Sequence, residues 1–477
     1  NLNASAFVFE NVAAGDRVSF RLKGRAPNTS GIGARITLRS GSFDQKQTII
    51  AGGRYLSGDQ PLCVFGIPHA TPDMSAEIVW PDGSISEIQQ ITPNALYEVN
   101  QSSAEFRTHQ APKRIKPLFR DASERIRIWH VENMHDDFIS DPLKPSSQSE
   151  LGPGVCAVDV DGDGFDEFFI GGAKGGRLLG FKFSQALQSG TPTDLNLPWG
   201  GNLKLIRDNA AILGYESPSS GLVLLSALSS HEDGLAVGSA LNALSWDSSR
   251  EILAAGPDSA GPMSMADIDG DGDLDLFVGG RTRKNDPYLA ISSTVYLNTP
   301  DGFTPMKESG VIQNIGAVSG SVFSDLDNDD DLDLILARQW NSPLVLINDN
   351  GTFSDQTTQW GLSKFHGLWN GLTTGDFNAD GRMDILMTNV GRNSRYREHL
   401  AEEIWLHVAD FNQDGIVEGI ESVWDPFLGK RVPVRGRLAL AKVLPWVAGM
   451  YPTFRAFGQA DVQAMLEPAG LTPTVLK

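Results

Sequence analysis

The string DIDGDGDLDLFVGG, Asp267 to Gly280, recurs along this 477-residue chain in four altered copies. They are DVDGDGFDEFFIGG from Asp159, DLDNDDDLDLILAR from Asp325, DFNADGRMDILMTN from Asp376 and DFNQDGIVEGIE from Asp410. Each places oxygen-bearing side chains at loop positions one, three, five and nine. Residues two apart in a tight loop aim inward together, a glycine at position six takes the positive φ that turns the backbone, and position seven offers its carbonyl. The product is an oxygen cage for a hard cation. Zn²⁺ wants nitrogen or sulfur and Mg²⁺ keeps more of its water, so the donor set points to Ca²⁺, about five ions in all.

A single Asp-Gly loop is ordinary hairpin chemistry, but four carboxylates crowded into nine residues repel one another unless a counterion is present. The expected ligands are Asp267, Asp269, Asp271, Asp273 (by its carbonyl) and Asp275; Asp159, Asp161, Asp163, Phe165 (carbonyl) and Glu167; Asp325, Asp327, Asp329, Asp331 (carbonyl) and Asp333. The fourth set is Asp376, Asn378, Asp380, Arg382 (carbonyl) and Asp384, and the fifth is Asp410, Asn412, Asp414, Ile416 (carbonyl) and Glu418. Asp330 replaces the position-six glycine in the third loop, and Asn378 and Asn412 lower the charge of the last two. Glu421 falls at position twelve of the fifth loop, which therefore also has the ligand spacing of an EF-hand.

Short apolar runs begin where the cages end: FFI, LDLFV, LDLILA and MDILM. They read as buried strands, and VYLNTPDGF and LVLINDNGTF add hairpins after the second and third. The loop starts are 108, 58, 51 and 34 residues apart, so a blade without metal is expected in the first gap, near HEDGLAVGSA from His231, with Leu235 to Gly238 matching Leu276 to Gly279. Strand repeats of this period predict an all-β propeller, preceded by a small β module and carrying a helical C-terminal insertion.

The loops resemble those of FG-GAP and VCBS repeats, the blades of integrin α-subunit propellers. GIGARITLRSG at Gly31, CVFGIP at Cys63 and WPDG at Trp80 are similar to the ASPIC/UnbV domain, found beside such propellers in the cartilage acidic protein family. HVENMHDDFISDPL, GLWNGLTTGDFNADGRMD and GRNSRY extend the likeness. The resemblance implies a calcium-binding, extracellular propeller. The module comes first here, whereas in the family it follows the propeller, and this suggests a tandem arrangement or a piece of a longer precursor. The expected boundaries are 1–100 for the module, 101–117 for a linker, 118–425 for the propeller and 426–477 for a helical tail or insertion.

Within the module, Trp80 and Phe65 are either exposed stacking residues or, more commonly, core aromatics. In the tail, RGRLALAKVL and FRAFGQADVQAMLEP have helical spacing, broken by Pro445 and Pro452. The repeats supply six blades, one short of the seven usual for the type. The missing strands are expected from Ile126 to Val131, from sequence beyond Lys477, or from another chain, which would make the propeller part of a larger assembly.

A formal charge of −20 argues against nucleic acid and anionic membranes, and no run of eighteen apolar residues predicts direct membrane insertion. The opening at Asn1 reads as a chain that has lost an export signal or an upstream segment. Cys63 and Cys156 fall in different expected domains and form no disulfide framework. No HExxH, GxSxG or phosphate-loop motif is present, and Glu132, Asp136 and Asp137, flanked by His130 and His135, read as a solvated acidic face. The expected function is a non-catalytic adhesion or scaffold module, secreted or on a bacterial surface or in the periplasm, that binds protein or glycan on the cell surface or matrix. The alternatives are a carbohydrate-active propeller enzyme or lectin, for which Trp340 and Trp369 are the aromatic candidates, and a structural subunit of a surface layer or filament.

Overall fold

The computed structural model describes residues 15–41, 43–50, 60–67, 72–106, 121, 130–149, 152–159, 163–182, 193–194, 205–217, 221–232, 239–245, 248–254, 256, 258–289, 291–306, 310–391, 394–396 and 402–477. The chain forms two compact units, Asn1–Arg120 and Asp121–Lys477. In the first, the alternating sequence DRVSFRLK becomes the strand Asp16–Lys23, which turns Val18, Phe20 and Leu22 inward. It lies between Leu62–Ile67, antiparallel, and Ala95–Asn100, parallel. A second sheet runs Phe43–Thr48, Arg35–Ser40, Ser75–Val79, Ile85–Gln89, and the two sheets share one core. Trp80 and Phe65 belong to that core: Trp80 is 2% exposed and its Nε1 donates to Ser86 Oγ at 3.0 Å. The module continues past the expected boundary at Asn100. Gln101 is buried with its amide on Asp82, and Glu105 bridges to Ile85. The rest of the expected linker, residues 107–117, lies outside the described residues.

In the second unit, antiparallel sheets follow one another as blades. Blade one is Val155–Val158, Glu167–Ile170, Leu179–Lys182 and Thr193–Asp194; blade two is Asn209–Ser217, Gly221–Leu228, Ser239–Ser245 and Ser248–Ala254. Blade three is Asp258–Ala266, Asp275–Arg283, Thr294–Thr299 and Gly302–Pro305; blade four is Val318–Ser324, Asp333–Asn341, Leu344–Asp349 and Thr352–Asp355. Gly367–Gly375 and Asp384–Asn389 form blade five. The first strands of the five blades pack side by side in series, which makes the arrangement propeller-like.

Blade two is the blade without an acidic loop expected in the long gap. Its second strand is Gly221–Leu228, not the sequence after His231. Ser217 pairs directly with Gly221, so the connection is too short to hold a cage. Leu235 to Gly238 lie outside the described residues, as do residues 126–129 of the expected closing segment.

Strand alternation gives each second strand two apolar faces. Leu276 and Val278 pack back on Val223 and Leu225 of blade two, and Phe277 packs forward on Leu334 and Leu336 of blade four. Phe169 faces forward to Ile212 and Leu224, and Ile335 to Ile385 and Met387. At the two ends of the described series, Phe168, on the backward face of blade one, is 41% exposed, and Leu386, on the forward face of blade five, is 55% exposed.

The fifth loop does not open a sixth blade of this series. Its sheet runs Lys430–Pro433, Glu418–Asp425, Trp405–Ala409, Thr474–Leu476. The edge of Trp405–Ala409 that corresponds to the unpaired first-strand edge in blades one to three is covered by the C-terminal strand. Leu406 and Val408 pack on Tyr288, Trp340 and Tyr396, while Ile420 and Phe411 pack on the tail helices. Those helices are Arg437–Val443, Trp446–Met450, Phe454–Phe457 and Val462–Leu466, with Thr453 and Asp461 capping the last two. The tail is therefore a cap on this sheet.

Phe277→Ala is expected to cost about 3–5 kcal/mol in chemical denaturation, because blade four closes over the fully buried ring. Leu386→Ala should cost less than about 1 kcal/mol, since the solvent already wets that face.

Candidate metal centres

Each acidic loop joins the first and second strands of its sheet, and its geometry is set by backbone N–H groups turned onto carboxylates. The position-one aspartate accepts from residues further along the loop: Asp267 from Gly270 (2.8 Å) and Gly272 (3.0 Å), Asp376 from Asp380 (3.0 Å) and Gly381 (2.9 Å), Asp410 from Asp414 (3.0 Å) and Gly415 (2.9 Å). Asp325 and Asp159 do the same. The position-five carboxylates of Asp163, Asp271, Asp329, Asp380 and Asp414 accept from the N–H of Phe165, Asp273, Asp331, Arg382 and Ile416. Those five residues carry the carbonyls expected to ligate metal. Asp161 lies outside the described residues.

Position six is left-handed as expected, including Asp330 at φ 75°. Position four is left-handed too, at Gly270, Asn328, Ala379 and Gln413, which the sequence reading missed. Two successive reversals explain why the cage closes in so few residues.

The position-nine residue, an expected ligand, also holds the backbone. Asp275 is fully buried; one oxygen accepts from Ile268 N–H at 2.9 Å and the other from Asn298 N–H at 2.7 Å. Asp333 repeats this with Leu326 (2.8 Å) and Asn348 (2.9 Å). The carboxylate thus ties the loop, the second strand and the third strand together. Asn348 extends the tie to the neighbouring blade, because its Nδ2 donates to Ile268 O at 2.9 Å. Asn298 and Asn348 were not expected as site residues, although the shared asparagine in VYLNTPDG and LVLINDNG was a visible signal. Glu418 and Asp384 accept from Phe411 and Phe377 in the same way.

Among the described residues, carboxylate oxygens converge in three loops. Those of Asp267, Asp269 and Asp271 lie within 4.8 Å of one another, as do those of Asp325, Asp327 and Asp333 and of Asp410, Asp414 and Glu418. An all-oxygen set held this close fits a hard divalent cation. In the fourth and fifth loops the position-three amides already act on the carboxylates: Asn412 Nδ2 donates to Asp414 at 3.0 Å, and Asn378 Nδ2 lies 3.4 Å from Asp384 Oδ1. In the first loop the Lys182 ammonium sits 2.7 Å from Asp163 and 3.9 Å from Glu167.

Glu421 corrects the EF-hand reading. The loop joins two antiparallel strands rather than two helices, and the fully buried Glu421 carboxylate is engaged by Arg395, Arg435 and the Tyr396 hydroxyl. Asp137 corrects the solvated-face reading. It is 1% exposed and bonded to His231 (2.6 Å), Ser147 (2.6 Å) and the N–H groups of Gln148 (2.7 Å) and Ser149 (2.9 Å). Burial raises its pKa, but those hydrogen bonds outweigh burial and hold the carboxyl well below the usual range. Glu132 pairs with His130 at 2.8 Å.

Burial, with nearby loop carboxylates adding to it, pushes the Asp275 and Asp333 carboxyls up to about 6 and Glu418 up to about 7. A raised folded-state pKa means that the native state holds protons the unfolded chain has released, so stability falls as pH rises through that interval. Metal-free protein is therefore expected to lose melting temperature steadily between about pH 4 and pH 7, and Ca²⁺ should abolish the loss. Lys182→Ala is expected to tighten Ca²⁺ binding at the first loop by roughly several-fold, read by isothermal titration, because a partly exposed ammonium competes weakly.

Residues 24–106 match the ASPIC and UnbV family, and residues 267–336 and 325–387 match the FG-GAP-like repeat. Two solved structures overlap the chain at low similarity. BBS1N, in complex with ARL6DN, is 14% identical, with 59% of this chain and 68% of that one covered at a TM-score of 0.34. An Agrocybe aegerita lectin that recognises non-reducing terminal N-acetylglucosamine is 15% identical, with 78% and 84% covered at a TM-score of 0.33. At these scores the overlays define no common placement of blades. No curated protein matches the chain.

Proposed function

We propose that this chain, an ASPIC/UnbV domain followed by FG-GAP-like repeats, is a non-catalytic extracellular adhesion or scaffold module that binds Ca²⁺ in its acidic loops and protein or glycan partners on its propeller. The observation that supports it is the convergence of three carboxylates in each of three loops whose turns are already set by backbone hydrogen bonds. Five ions would bring the formal charge of −20 to about −10 and relieve the repulsion within each cage. Calcium here is structural: it stiffens the loops and, through Asp275 and Asp333, the strands they join. No helix among the described residues is long and apolar enough to cross a membrane. A secreted or surface location, where calcium is plentiful, keeps such loops occupied.

A second reading rests on the exposed faces at Phe168 and Leu386. They favour an assembly in which another chain or segment completes the propeller. Light scattering of the intact chain separates a self-assembling subunit from a monomer that waits for a different partner.

Chelation is expected to lower the melting temperature by more than about ten degrees, because several sites of micromolar or better affinity each add linkage free energy to the native state. An unchanged melt in EDTA would remove the calcium reading. Asp271→Ala should lower the melting temperature in calcium more than Asn378→Ala, since it takes a charged ligand from a converged cage.

A further inference from the structure

A cavity of about 340 Å³ opens beside blade five, bordered by Trp340, His366, Asn389, Tyr396, Glu402 and Glu403. It sits at the end of the propeller opposite the acidic loops. Trp340 is near the far end of Asp333–Asn341, and the fourth loop leaves Gly367–Gly375 from the end away from Gly367. Three features show a wall set in advance. Trp340 has φ 55°, a region that bulky side chains rarely enter, and strain of this kind concentrates at binding sites. It occupies a bulge, between the pairs Gln339 with Leu368 and Asn341 with Gly367, which re-aims its ring toward the cavity. Tyr396 stands edge-on to that ring at 6.2 Å, and its hydroxyl is held by the buried Glu421.

The polar side of the cavity is equally specific. Gly367 leaves room that a Cβ would deny, because a Cβ there would collide with the Asn389 amide. Glu403 is paired with Lys477 at 2.8 Å, so the lining has no surplus positive charge for a phosphate or carboxylate ligand. The lining combines two aromatic rings with an amide, an imidazole and a carboxylate. That combination offers an apolar surface for ring C–H groups and polar partners for hydroxyls. We propose that this cavity is a subsite for a neutral sugar unit of a glycan, with Trp340 and Tyr396 against its ring and Asn389, His366 and Glu402 on its hydroxyls. The proposal rests on the partner-binding reading above and gives it a place and a ligand class.

The test is saturation-transfer NMR and isothermal titration of the full chain in calcium with the methyl glycosides of glucose, galactose, mannose and N-acetylglucosamine. At least one should bind, and Trp340→Ala should weaken it roughly tenfold or more. Since Trp340 is nearly buried, the exposed variants His366→Ala and Glu402→Gln guard against a folding artefact. Each should weaken binding by roughly threefold with the melting temperature unchanged. Silence from all four glycosides overturns the proposal, and so does binding that both exposed variants leave intact. The chelation melt is independent of either result. A calcium-sensitive melt with no sugar binding removes only the subsite, and an insensitive melt with sugar binding removes only the calcium reading.

Discussion

The buried position-nine carboxylate is the interaction on which blades three and four depend. Asp275 and Asp333 each spend both oxygens on backbone N–H groups, one in the loop and one on the third strand. Burying a carboxylate is costly unless it is hydrogen-bonded, and here the bonds that offset burial also fix where the loop begins relative to the sheet. The rest of the cage then assembles on a backbone whose turns are already set. The arrangement leaves loop carboxylates close to one another, and a bound cation would remove that tension. Folding and metal binding would thereby be coupled at the same atoms.

The five loops solve the charge problem differently, and the differences were only partly visible in the sequence. Asn378 and Asn412 read as lower charge; in the structure they also donate to a neighbouring carboxylate. Lys182, 15 residues beyond Glu167 in the chain, reaches the first cage from the third strand of its blade. A residue brought in across a sheet carries no signal in loop spacing, so a ligand count taken from the sequence overstates how alike the loops are.

Local chemistry was legible and long-range pairing was not. The left-handed turn at position six, the strands after each cage and the helical character of the tail follow from patterns within about fifteen residues, and the extra blade from the interval between loops. Glu421 looked like a ligand because its spacing is right; its true partners, Arg395 and Arg435, lie on separate segments. Asp137 looked solvated because its neighbours in sequence are acidic, yet His231, 94 residues away, buries it. The sheet of the fifth loop looked like a sixth blade because its repeat is intact. What moved it out of the series is the C-terminal strand Thr474–Leu476, which takes the edge of Trp405–Ala409, and no repeat pattern records that pairing.

That displaced sheet links the two ends of the propeller chemically. Its loop carries a converged acidic cage, while its apolar residues Leu406 and Val408 pack beneath Trp340 and Tyr396. Glu418, at position nine of the cage, and Glu421, which holds Tyr396, lie on the same strand three residues apart. Ordering the fifth loop therefore orders the strand that anchors the aromatic wall on the opposite side. A cation at that loop need not touch a partner to affect its binding. It would act by keeping one short strand in register; the third loop, whose strand Asp333–Asn341 carries Trp340, shares that route, and the influence should fade at the first and second loops, whose strands end in other blades.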